Sequence, residues 1–310
     1  MCGIVGYIDR SGSGGLMGPT MLGMLNALGR RGPDSAGIAA FNTRGSSLRL
    51  RVKLSDNDAP AGRAEAVIAQ ATTCADIVDS SVTGSYLRIE ASYNGDPEAM
   101  ERTLEAVHPE IEVVSMGHSL EIVKQVGSPA NLNATYGIRG FTGTHAIGHT
   151  RLSTESKVDL SHSQPFWAHG TLDMAVAHNG HITNYHKLRR QYEMRGIRFY
   201  TENDSEIIGI YLKLCTSQGM SFDEALQASM RDFDGSFCYL AASGDQLGFA
   251  KDPFGLKPLT VLETEAYVAI ATEEQALCAV FGQDVQALEP QPGAIRTWRL
   301  TGHSGKQEAA

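Results

Sequence analysis

A cysteine stands second in the chain, in the run Met1-Cys2-Gly3-Ile4-Val5-Gly6. Removal of one methionine would leave Cys2 with a thiol and a free α-amine on the same residue. A thiolate is a strong nucleophile and needs a base to form near neutral pH. An α-amine has an ordinary pKa of about 7.7–8.0, which suits a general base at that pH. One residue can then hold nucleophile and base in fixed geometry. The small residue at position 2 suits methionine trimming, so the mature chain is expected to begin at Cys2. Ile4-Val5-Gly6-Tyr7-Ile8 reads as a buried β-strand directly behind it, so the reactive end is anchored on a rigid element. A start codon followed by an ordinary core strand would give the same residues, and the rest of the chain has to decide.

Seven further groups of residues follow. The first is Arg30-Arg31-Gly32-Pro33-Asp34-Ser35-Ala36-Gly37. The second is Gly148-His149-Thr150-Arg151-Leu152-Ser153-Thr154, followed by Ser163-Gln164-Pro165-Phe166. Then come Ala177-His178-Asn179-Gly180 and Asn203-Asp204-Ser205-Glu206. The last is Asp252-Pro253-Phe254-Gly255-Leu256-Lys257-Pro258, with Ala271-Thr272-Glu273-Glu274 beyond it. In this order, over residues 1–45 and 141–300, they resemble the class II, N-terminal-cysteine, glutamine amidotransferase domain. That family includes the glutaminase domains of amidophosphoribosyltransferase, glucosamine-6-phosphate synthase, asparagine synthetase and glutamate synthase. The resemblance implies an α+β fold, the four-layer αββα N-terminal-nucleophile hydrolase sandwich.

Amide hydrolysis passes through a tetrahedral oxyanion, which needs donors aimed where charge develops. An isolated Asn-Gly would be read as a tight turn. By resemblance, the Asn179 side chain and the Gly180 backbone N–H form the oxyanion hole. A guanidinium pairs with a carboxylate in two-pronged geometry, so Arg151 suits the α-carboxylate of free glutamine. By resemblance Thr154 adds a hydroxyl to that clamp, and Asp204 meets the α-ammonium. Alone, Asp204 would be read as a helix N-cap. Arg31 resembles the arginine that braces the cysteine terminus, Asp34 and Ser35 order that turn, and His178 supports the Asn-Gly pair. Asp252-Pro253-Phe254-Gly255 looks like a structural turn near the nucleophile. Three positions depart from some relatives: Leu152 where an aromatic residue is common, Glu155 where one branch has histidine, and Gln164 in place of histidine. They put lid closure and signalling to a synthase site in doubt.

The elements that must position these residues read as follows. A helix spans 18–29 and a strand runs through 38–41. Residues 46–140 lack the motifs. Their rhythm of strand (48–52), helix (61–72), a helical turn (75–79), strand (86–91), helix (97–106), strand (111–115) and helix (120–125) suggests an inserted small α/β lobe. From 144 onward the pattern is β-rich, with strands at 144–150, 172–178, 236–243, 247–251, 259–263 and 267–272. Helices are expected at 184–195, 204–217 and 221–230. One catalytic domain over 1–300, interrupted by the lobe, is therefore expected, with a flexible polar tail at 301–310.

Composition narrows the partners. A net charge of −9 disfavours nucleic acid, which needs a basic footprint. No apolar run approaches the roughly 20 residues of a membrane helix, and no basic-then-apolar leader is present. Five scattered cysteines (Cys2, Cys74, Cys215, Cys238, Cys278) form no disulfide or metal-site spacing. No metal is expected, and the cytoplasm is the expected compartment. Cys215 and Cys238 read as buried free thiols.

No acceptor domain that would use ammonia follows residue 300, so the resemblance implies a separate partner. Glu155-Ser156 and Glu202-Asn203-Asp204 resemble the stand-alone amidotransferase subunit of N-methylglutamate synthase and related glutamate-synthase-like complexes. FMN and an iron–sulfur cluster would then sit on the partner subunits, with no cofactor in this chain. Two other readings stand beside this one: a catalytically silent regulatory or scaffold subunit with the same fold, and an N-terminal-nucleophile amidohydrolase acting on another amide. Arg151 with Asp204 favours an amino-acid substrate, and both together with Cys2, Asn179 and Gly180 argue against the silent scaffold.

Overall fold

A computed structural model of the chain describes residues 2–56, 60–153 and 157–301. Two antiparallel sheets lie at its centre. The first has six strands in the order Thr260–Glu263, Tyr267–Ala271, Gly3–Asp9, His145–Arg151, Ser35–Phe41 and Leu120–Val126. The second has five, in the order Phe166–Trp167, Met174–Ile182, Gly235–Ser243, Gln246–Lys251 and Ile295–Arg299.

Side-chain alternation along each strand builds four layers. Ile4 and Ile8 face a core shared with Ala175, Ala177, Leu240 and Leu247 of the second sheet. Val5, between them, faces a different cluster made with Met21, Leu25 and Leu277. Successive strand residues point to opposite faces, so the helices Gly18–Ala27, Pro129–Tyr136 and Glu274–Phe281 cover the outside of the six-stranded sheet. The other outer layer comprises the helices Tyr185–Glu193, Glu206–Ser217 and Phe222–Asp232, packed on Val176, Phe237 and Tyr239. The arrangement is the expected αββα sandwich. Gly6 is small for a reason of packing: a Cβ there would come within 3.1 Å of Leu240 in the facing sheet.

Within 46–140, four strands form a separate sheet in the order Asp76–Thr83, Tyr86–Ser92, Leu48–Lys53 and Glu112–Gly117. The helices Arg63–Ala71 and Pro97–Glu105 belong to the same section. Its core residues Leu50, Val52, Tyr86 and Met116 are continuous with the inter-sheet core.

Two expectations here are corrected. Residues 75–79 are not a helical turn; Asp76–Thr83 is an edge strand, as its β-branched Ile77, Val78, Val82 and Thr83 favour. Residues 120–125 are not a helix either. Leu120–Val126 pairs with Ser35–Phe41 along its whole length and belongs to the six-stranded sheet. Leu, Glu, Lys and Gln favour a helix locally, but the open edge of that sheet and the Ile122-Val123 pair win. The helices Pro129–Tyr136 and Glu274–Phe281 and the strand Ile295–Arg299 are additional to the expected elements. Among the described residues no helix is long and apolar enough to cross a membrane. The expected tail lies outside the described residues from 302 onward, as does Met1. Cys215 and Cys238 are buried free thiols.

Candidate active site

Cys2 precedes the central strand Gly3–Asp9, whose Gly3 pairs with Thr150. The strand is pinned beside the cysteine: Ile4 N–H donates to Thr272 Oγ1 at 2.8 Å, and Thr272 N–H donates back to the Ile4 carbonyl at 3.0 Å. The Cys2 carbonyl accepts two bonds, from Arg31 Nε and from Asn179 Nδ2, each 3.2 Å long. Arg31 is fixed in turn by an ion pair with Glu273. The Cys2 thiol donates to the Leu152 carbonyl at 3.7 Å. Cys2 thus stands at a sheet end with its backbone clamped, lining a cavity of about 670 Å³.

Asn179 and Gly180 do not form a turn. They lie inside the strand Met174–Ile182, which runs past the end expected at 178. Asn179 shares the inner face with Ala175 and Ala177, which directs it at Cys2. Its amide has two N–H protons; one holds the Cys2 carbonyl and the other remains to donate. Gly180 sits opposite Phe237 with φ +137°. A Cβ there would meet the Ser236 carbonyl at 2.3 Å, so conformation and closeness both require glycine. Phe237 spends its N–H and C=O on Asp252, at 3.0 and 2.9 Å. Because antiparallel pairs alternate in bonding, the Gly180 N–H faces the opposite edge, toward the cavity. On that edge the N–H groups of His178 and Ile182 are capped by Gln164 Oε1 (2.7 Å) and Asp204 Oδ2 (2.8 Å).

Asp252 also accepts from Phe254 and Gly255 N–H at 2.8 and 3.0 Å. It is the structural turn expected, and it reaches the site through Phe237.

Arg151 ends the strand His145–Arg151. It is 3% exposed and donates to the Lys157 carbonyl at 2.9 Å and to Ser153 Oγ at 3.3 Å. Asp34 ties the neighbouring turn to it: Asp34 N–H donates to the Arg151 carbonyl at 3.0 Å, and Asp34 Oδ2 accepts from Ser153 N–H at 2.7 Å. Gly32 lets this turn lie flat on the strand, since a Cβ would meet Thr150 at 2.3 Å. Ser35 is buried opposite Arg151, and its hydroxyl finds no hydrogen-bond partner among the described residues. Thr154 and Glu155 lie outside the described residues.

Asp204 precedes the helix Glu206–Ser217. It is not the N-cap, a position taken by Ser205. Its carboxylate braces Ile182 and lies 3.5 Å from His181 Nδ1 at the cavity wall. His178 Nδ1 meets Ser205 Oγ at 2.8 Å, and burial pushes its imidazole below the ordinary histidine value. Gln164 Nε2 also donates to Ser205 Oγ, at 3.0 Å.

Cys2, Arg151, Asn179, Gly180, His178 and Asp204 therefore line one cavity, while Arg31, Asp34 and Ser35 support it from behind. Sequence reading gave no site role to Gln164, Ser205, Glu273 or the cavity-lining Lys257. The contacts of Gln164, Ser205 and Glu273 are set by segments distant in sequence. Among the described residues no group of three or more His, Cys, Asp or Glu is arranged to hold a metal ion.

Comparison with known proteins agrees with this geometry. The glutamine amidotransferase domain matches residues 149–279. A Methanothermobacter thermautotrophicus protein described as a "Putative glutamine amidotransferase" is 34% identical over 97% of this chain and 100% of its own length. The glutamine amidotransferase-like protein GlxB of Rhizobium meliloti is 33% identical over 96% of this chain and 98% of its own. Among solved structures, the glutamine phosphoribosylpyrophosphate amidotransferase of B. subtilis superposes with a TM-score of 0.60 at 19% identity. The alignment covers 96% of this chain and 49% of that one, so this chain spans about half its length and the likeness is one of fold. On its near full-length identity to the first of these relatives, the chain belongs to the class II glutamine amidotransferase family.

Proposed function

We propose that the chain hydrolyses the side-chain amide of free glutamine with Cys2 as nucleophile and passes the ammonia to a synthase carried on separate chains. The observation that carries this reading is the placement of two sets of groups on one cavity: Cys2 with Asn179 and Gly180, and Arg151 with Asp204. The first set suits an acyl transfer and the second suits an amino acid's two charged ends.

The chemistry runs in two halves. With Met1 removed, the Cys2 α-amine takes the thiol proton, and the thiolate attacks the amide carbon. The oxyanion takes the free N–H of Asn179 and the N–H of Gly180. As the C–N bond breaks, the α-ammonium returns the proton to the leaving nitrogen, giving ammonia and a thioester. Water then attacks the thioester with the amine as base, releasing glutamate and the thiol. Arg151 and Asp204 hold the α-carboxylate and α-ammonium throughout and orient the amide on the sulfur. The family resemblance would add the Thr154 hydroxyl to the carboxylate clamp. Support for partners of the glutamate-synthase or N-methylglutamate-synthase kind, bearing FMN and iron–sulfur, comes from the sequence resemblance of Glu202-Asn203-Asp204. The cytoplasm is the compartment where such a complex would work.

The experiment is a glutaminase assay on purified chain of measured intact mass. Release of glutamate and ammonia by chain lacking Met1, absent in Cys2→Ala, is the expected result. An active preparation that keeps Met1 would remove the α-amine as base.

A further inference from the structure

Two loops carry the groups assigned to the ends of glutamine, and both hang on the section 48–117. The loop after Arg151 is caught at Ser161. Its hydroxyl donates to Glu112 and accepts from Lys53 Nζ, and Lys53 and Glu112 lie 3.2 Å apart, each about 5% exposed. Burial works against both charges, yet Glu112 holds Lys53 above its ordinary value, while Lys124 and Lys53 hold Glu112 below its own. The charged pair is therefore a fixed anchor. From it the loop leads back through Asp159, whose carboxylate takes His162 N–H at 2.8 Å, to Lys157, whose carbonyl holds Arg151.

The loop before Asp204 is caught at Tyr200. Its hydroxyl lies 2.7 Å from Glu101 and 2.9 Å from Glu105, both on the helix Pro97–Glu105. Its ring stacks on His169 with centroids 4.0 Å apart, and His169 Nδ1 meets Glu101 at 2.6 Å. Tyr200 N–H and Thr201 N–H both go to Glu206, at 2.8 and 3.0 Å. Asn203 N–H donates to Thr201 Oγ1 at 3.1 Å, and Ser205 N–H to Asn203 Oδ1 at 3.1 Å. A continuous run of bonds thus joins the helix Pro97–Glu105 to the residues flanking Asp204. The two loops also meet directly, through His162 Nε2 and Glu202 at 3.2 Å.

We propose that the section 48–117 is a positioning element for the amino-acid clamp, with Ser161 and Tyr200 as the positioning residues that transmit it to Arg151 and Asp204. The proposal rests on the glutamine reading above. It gives the section a use beyond its own packing: a change in its seating would be read as a change in glutamine affinity and not in the thiol chemistry.

The test uses the full chain carrying Cys2→Ala, which binds without turnover, and measures the dissociation constant for glutamine by calorimetry. Tyr200→Phe and Ser161→Ala should each weaken binding about three- to tenfold, the worth of one lost hydrogen bond. Tyr211→Phe loses a phenol-to-carboxylate bond of the same kind, to Asp232 at 2.5 Å, but lies on neither loop and should leave binding unchanged. With Cys2 intact, the two loop variants should raise KM and keep kcat. Unchanged affinity in folded Tyr200→Phe and Ser161→Ala would overturn the positioning role while leaving the glutamine reading standing. Equal weakening by Tyr211→Phe would overturn it as general loosening. If Tyr200→Phe fails to fold, Ser161→Ala decides. No glutamine binding by the parent would sink the glutamine reading itself, and this proposal with it.

Discussion

Gln164 and Asp204 come from segments 40 residues apart, yet the Gln164 amide oxygen and an Asp204 carboxylate oxygen cap the N–H groups of His178 and Ile182, two residues either side of Gly180. The edge of the strand Met174–Ile182 would otherwise present a row of open donors. Capping the outer two leaves the Gly180 N–H as the donor aimed at the cavity. The same two residues meet again at Ser205, which takes a bond from Gln164 Nε2 and lies 3.5 Å from Asp204 Oδ1.

Gln164→Ala should therefore cost more than its size suggests. It leaves the buried His178 N–H without its acceptor, a loss of about 1–3 kcal/mol for an unsatisfied buried group. Urea unfolding should show that loss, and kcat for glutamine hydrolysis should fall. Unchanged stability and kcat would mean the cap is not needed to hold the strand.

Cys2→Ala should abolish glutamine hydrolysis while ammonia-dependent synthesis by the assembled partner complex survives. On the proposed function Cys2 would serve only to release ammonia, with the acceptor chemistry on another chain. Paired assays with glutamine and with ammonium salts measure this; glutaminase near wild type in Cys2→Ala would exclude the nucleophile.

Asn179→Ala should lower kcat about 10²–10³-fold with little change in KM, because an oxyanion donor acts on the transition state. The variant also removes one of two donors to the Cys2 carbonyl, so melting temperature should be followed alongside. Arg151→Ala and Asp204→Ala should mainly raise KM, since the substrate charges proposed for them to hold do not change during the reaction. A KM effect alone from Asn179→Ala would reverse the assignment.

The candidate site residues were legible through the short runs that carry the family resemblance: Cys2, Arg151, Asn179-Gly180 and Asp204 line one cavity. The four-layer fold was implied by the family resemblance, and the alternation of strands with clustered helices in the catalytic segments fits it. What stayed hidden was set by distant partners. Leu120–Val126 carries helix-forming side chains, and only the open edge of Ser35–Phe41 makes it a strand. Asp173, at φ +54°, accepts the N–H groups of His118, Ser119 and Leu120 at 2.8–3.1 Å, a brace across more than 50 residues that no local pattern announces. Asn179-Gly180 reads locally as a turn; its strand geometry exists because Gly235–Ser243 pairs beside it.

The last prediction concerns acid. His145 and His149 are fully buried on the strand His145–Arg151. Burial lowers their pKa values to about 4 and about 3, against an ordinary value of about 6.5. His145 Nε2 lies 2.6 Å from the Ser243 carbonyl and His149 Nε2 lies 3.1 Å from the His178 carbonyl, so each neutral ring bridges the two sheets by donating. Below pH 6.5 the unfolded chain binds protons that the folded chain refuses. Stability is then fully present above that pH and falls as pH drops toward 4 and 3. Urea unfolding from pH 7 to pH 4 should show this decline, and both imidazoles should stay neutral by NMR at pH 5 in the folded protein. A folded protein with either ring protonated at pH 5 would show that the inter-sheet bridges do not depend on the neutral imidazole.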